Sequence, residues 1–151
     1  MTATELNPLR PQQSGVFGAP CFPQTLAALR QAARRARCAW LNVDLHGVRD
    51  EAGLLAACAR QLEFPPRFGR DWNALSDAVN DLAWQKSPGF VIEFENVDVP
   101  AQNAPQALAS LLDVLRAAAE AWRTRNTTFV VLLDHIPQQL SVEPFPEPPP
   151  A

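Results

Sequence analysis

A chain of 151 residues with 47% apolar content has room for one sizeable core, and its composition argues against wholesale disorder. The net charge of −3 disfavours a uniformly basic nucleic-acid binder and mildly favours a basic partner. Three cysteines, Cys21, Cys38 and Cys58, form no CxxC pair, so neither a disulfide framework nor a zinc site is expected and the thiols read as reduced.

Residues 1–14 are polar with two prolines and read as a flexible arm. Residues 1–20 carry no basic start followed by an apolar run, so no secretory signal is expected and a cytoplasmic location is. Ser14 to Phe17 is a candidate for an extra edge strand. Pro23 to Arg37 is helical, with Leu26, Leu29, Ala33 and Ala36 on one face and Pro23 suited to a first turn. Arg30, Arg34 and Arg37, with Arg35 beside them, make a basic face that reads as solvated. Trp40 to Leu45 alternates as a half-buried strand, Leu41, Val43 and Leu45 against Asn42 and Asp44. Asp50 can cap a helix running to about Leu62, which Pro65-Pro66 stops.

Asp71 to Ala83 reads as a short helix. Ala74, Leu75, Ala78, Val79 and Leu82 form its apolar face, with Asn73, Asp77, Asn80 and Asp81 opposite. Phe90 to Phe94 is a buried strand ending in Glu95. Ala104 to Trp122 carries the clearest helical spacing, with Pro105 near its start. Thr127 to Leu133 is a strand apolar enough to be covered on both faces. Helices alternating with strands predict a parallel sheet. Residues 15–136 form the domain, and the six prolines of residues 137–151 read as a tail with little to bury.

No catalytic motif stands out, and no enzyme activity or cofactor is expected. His46 and His135 each follow a strand but have no nucleophile or metal-ligand spacing beside them. The chain has no GxGxxG and no GxxxxGK[ST]. Glu93 and Glu95 share a strand face but have no third group, and read as solvated acids. The acidic helix is more specific. From Asp71 to Trp84 there are three acids and no lysine or arginine. Asp71 suits a helix start. Asp77 and Asp81 repel each other at i, i+4 and oppose the dipole near the helix end, a cost of a few tenths of a kcal/mol. A metal is less suited to carboxylates from one helix face. A cationic cleft on a protein partner fits better.

The order of elements, with Phe68, Gly69, Trp72, Ala74, Leu75 and Asp77 in FGRDWNALSD, resembles the barstar family from about Trp40 to Asp134. The resemblance implies a small three-stranded parallel sheet packed with helices. It implies an intracellular, immunity-type inhibitor that blocks a ribonuclease's active site with an acidic loop and helix, about residues 67–81. The partner would be a small basic ribonuclease, with a carboxylate at Asp77 standing where an RNA phosphate would sit. Phe68, Gly69, Asp71, Asn73, Asp77 and Asp81 are the candidate contacts. The family's second inhibitory aspartate is Asn73 here, with a charge two residues earlier at Asp71, and a contributing glutamate of the long helix falls at Ala117. A module of the same fold that binds a protein other than a ribonuclease is the alternative.

Overall fold

The computed structural model describes residues 9–19, 23–65, 70–81, 87–136, 140 and 142–145. After a 3-10 turn at Pro11–Gln13, the elements are β1 (Gly15–Gly18), α1 (Pro23–Arg35), β2 (Ala39–Asp44), α2 (Glu51–Gln61), α3 (Trp72–Val79), β3 (Gly89–Glu95), α4 (Asp98–Asn103), α5 (Pro105–Thr124) and β4 (Thr128–Leu133). The strands form one parallel sheet in the order β1-β4-β3-β2. No helix among the described residues is long and apolar enough to cross a membrane.

The sheet therefore has four strands where the family resemblance implied three. The fourth is the candidate edge segment, displaced by one residue to Gly15–Gly18 and registered so that Gly15 faces Val130 and Phe17 faces Leu132. Four residues with a glycine at each end carry no period of their own; the strand exists because β4 offers it a ladder. The six residues of α4 were likewise invisible to helical periodicity.

Both faces of the sheet are covered, which explains the unbroken apolarity of β3 and β4. On one face Phe90, Ile92 and Phe94 meet α2, α3 and α5 in the larger core. There the Phe90 ring lies 5.0 Å from that of Trp122, which in turn stacks on Phe129 at 6.4 Å. On the other face Val91, Val130 and Leu132 meet Leu29 and Ala33 of α1, together with Leu9 and Phe145.

The two ends of the chain differ from expectation. Leu9, read as part of a flexible arm, is buried, and its carbonyl accepts the Thr128 hydroxyl at 3.0 Å. The Ser14 hydroxyl donates to Thr127 O and accepts from Phe129 N–H at 2.9 Å, which fastens the arm's last residues to the start of β4. From the proline-rich tail, Glu143 O accepts Gly18 N–H at 2.7 Å and Phe145 N–H donates to Gly18 O at 3.0 Å, covering the free edge of β1. Phe145 is buried edge-on against Phe17, 5.2 Å between ring centres. The tail, read as having little to bury, thus buries one aromatic ring.

Glu93 is also a correction. It is 6% exposed, and its Oε1 accepts Arg30 at 3.1 Å, the Trp40 indole at 3.2 Å and the Asn42 amide at 3.3 Å. Burying a carboxylate is tolerated because three donors replace water. The histidines behave as turn residues: exposed His46 and His135 each lie beside an aspartate, Asp44 at 3.0 Å and Asp134 at 3.2 Å. Cys58 is buried among apolar neighbours, which push its thiol up to about 12, and half-buried Cys38 shifts the same way. Both are free; Cys21 lies outside the described residues.

Candidate partner-binding face

The acidic helix forms where its sequence places it. Asp71 is its N-cap, with backbone in the extended region and a carboxylate that accepts Ala74 N–H at 2.7 Å. Leu75, Ala78 and Val79 are buried and press the helix onto the core. Asn73, Asp77 and Asp81 are exposed. Asn73 and Asp77 are one helical turn apart and line one outward stripe, which exposed Asp81 extends just past the helix end. Asp71 is exposed too, but one of its oxygens is committed to the helix start. The helix ends at Val79, short of the expected Ala83, and Asn80 turns its amide back to Ser76 O at 2.8 Å. Phe68 and Gly69, the other two candidate contacts, lie outside the described residues.

Three side chains that the sequence reading did not assign to the site hold α3 in place. At its start the Trp72 indole donates to Glu51 Oε1 at 2.5 Å, while the half-buried ring packs on the core. At its end Trp122 Nε1 donates to Val79 O at 2.9 Å, and Arg125 donates to Asn80 O at 3.0 Å. The Arg125 guanidinium lies 4.8 Å over the Trp122 ring. These carbonyls are left open by a helix terminus, and no sequence spacing names a donor 43 or 45 residues away.

One flank of α5 is uncharged until Arg125, just past the helix end. Ser110, Val114, Ala117 and Ala121 recur at four, three and four residues and so share one flank, the one from which Arg125 reaches α3. Exposed Ala117 lies on that flank and adds no charge to it. The stripe presents one carboxylate at its centre, one at its end and an amide at its start. It can accept hydrogen bonds from cations. Among the described residues, no group of three or more His, Cys, Asp or Glu side chains is placed to hold a metal ion.

A sequence model of the barstar family, described as barstar (barnase inhibitor), matches residues 38–134. That span runs from the start of β2 through β4 and contains α3. No curated protein matches the chain. Among solved structures, the chain is similar to one in a Drosophila origin recognition complex bound to DNA, with 14% identity and a TM-score of 0.51 over 94% of this chain and 38% of that one. It is also compared with the Aeropyrum pernix ORC2 protein in ADPNP–ADP complexes, at 16% identity and a TM-score of 0.47 over 82% of this chain and 36% of that one. The chain thus spans less than two fifths of the length of either. The first likeness is one of fold alone.

Proposed function

The chain belongs to the barstar family, and from that premise we propose that it is a protein inhibitor of a ribonuclease, closing the enzyme's active site with the loop and helix around residues 67–81. The observation that carries the reading is Asp77. It is exposed at the centre of the α3 stripe and forms no ion pair with another described residue. A ribonuclease gathers arginine, lysine and histidine to hold phosphate. A carboxylate on a short, fixed helix offers such a cleft an anion with two acceptor oxygens. The mild overall acidity favours encounter with a basic enzyme. The reading makes the chain a non-catalytic binding protein. Protecting a cell's own RNA would place it in the cytoplasm, where reduced Cys38 and Cys58 belong.

The alternative, a module of the same fold binding a protein other than a ribonuclease, is favoured by Asn73 and Ala117, which are neutral beside Asp77. Co-purification with the tagged chain separates the two. The inhibitor reading expects a small basic nuclease whose RNA cleavage is suppressed by the chain. A captured protein without nuclease activity would select the alternative. Asp77→Ala should leave the melting temperature within about a degree, since an exposed carboxylate supports little structure. It should weaken the complex about 30-fold, the loss of a charged hydrogen bond to a cation. Undiminished inhibition by Asp77→Ala would reject the phosphate-mimic mechanism.

A further inference from the structure

We infer that Arg125 is a positioning residue for the partner-binding face, holding the last turn of α3 in place. The inference rests on the reading of that face given above, and one arm of its test does not. Helix α3 has eight residues, about 12 Å of helix, and is too short to persist by itself in water. Its start carries its own cap at Asp71. At its end Asn80 and Asp81 serve the Ser76 and Ala78 carbonyls, and the next two carbonyls, Val79 O and Asn80 O, are met from outside by Trp122 and Arg125.

The two donors differ. Trp122 is fully buried, and its ring belongs to the main core, so its role is inseparable from folding. Arg125 is exposed and sits just past the end of α5. The Trp122 ring beneath it fixes the guanidinium plane, and from that platform it reaches Asn80 O. A cation there also complements the negative end of the α3 dipole, in the turn where Asp77 and Asp81 oppose it. Arg125 therefore acts on the site in two opposite ways. It keeps the last turn wound, which keeps Asp77 and Asp81 on the outward stripe. It also places a positive charge beside an acidic face, which weakens the attraction to a basic partner.

These two effects separate in kinetics. Arg125→Gln should speed hydrogen exchange at the Asn80 and Asp81 amides, whose acceptors are Ser76 O and Ala78 O, by about tenfold in the free chain. Exchange in β4 serves as the control and should not change. Arg125→Lys, which keeps a donor and the charge, should restore most of the protection. In surface plasmon resonance with barnase as the probe, Arg125→Gln should dissociate faster while associating no more slowly at low salt. A residue that matters only for global stability would move β4 exchange as well; a residue that touches the partner directly would leave the free-chain exchange alone. Unchanged exchange at Asn80 and Asp81 overturns the inference, as does faster exchange with an unaltered dissociation rate. Failure of the parent chain to bind barnase counts against the ribonuclease reading, while the exchange arm still decides whether Arg125 holds α3.

Discussion

Asn73 sits one turn before Asp77 on the outward stripe of α3, where the family resemblance implies a second acid. Asn73→Asp should tighten binding to a basic nuclease by about tenfold in calorimetry, at a folding cost of about 0.3 kcal/mol from the new like-charge spacing with Asp77. No gain in affinity would mean that the partner places a neutral group opposite this position. The stripe itself was legible from spacing, because i, i+4 repeats are a property of the local chain. Glu93 was not. Its i, i+2 relation to Glu95 suggested a solvated face, but its partners Arg30 and Trp40 come from 63 and 53 residues away. Glu93→Ala should destabilise the chain by about 2–3 kcal/mol in urea unfolding, since it leaves the Trp40 indole and Arg30 without this acceptor, while Asn42 keeps Glu95 at 2.9 Å. A loss below about 0.5 kcal/mol would show that water replaces the carboxylate there.

Long, periodic elements were read nearly to their ends: α5 was expected from Ala104 to Trp122 and spans Pro105–Thr124. Helix endings were harder, for a specific reason. Arg37, Glu63 and Asn126 follow α1, α2 and α5 with φ of 59°, 62° and 59°, the left-handed conformation that usually announces itself as glycine. The next residue's N–H returns to the helix in each case, from Cys38 to Ala33 O, Phe64 to Ala59 O and Thr127 to Trp122 O. Non-glycine residues hold this conformation at a cost of about 1 kcal/mol or more. Glu63→Gly should raise stability by about 0.5 kcal/mol, the relief being offset in part by the freedom glycine gains when unfolded. Thermal unfolding reads the change, and a lowered melting temperature would show that Glu63 makes a compensating contact. The same turn delivers Asn126 and Thr127 to β4, and so sets Arg125 over Trp122 beside α3.

At the scale of the molecule, a parallel α/β sandwich was legible because strand and helix periods alternate along the chain. Its width was not, because the fourth strand is defined by pairing rather than by pattern. The same is true of the chain ends, whose contacts are few and lie far away in sequence. Phe145→Ala should cost about 3 kcal/mol, removing the ring that packs on Phe17 beneath α1. Urea unfolding measures it, and a change under about 1 kcal/mol would return the tail to the dispensable status its composition suggested. The seating of β1 has a further consequence, for the order in which the chain is made. Ser14 and Thr127, which fasten β1 to β4, are 113 residues apart. During synthesis β1 emerges well before β4 and has no ladder to join until β4 follows. The anchors of α3 at Trp122 and Arg125 arrive almost as late. The nascent α3 therefore stays unanchored until α5 has been made, and the acidic stripe takes its final form only after the 43 to 45 residues that separate it from its donors have followed.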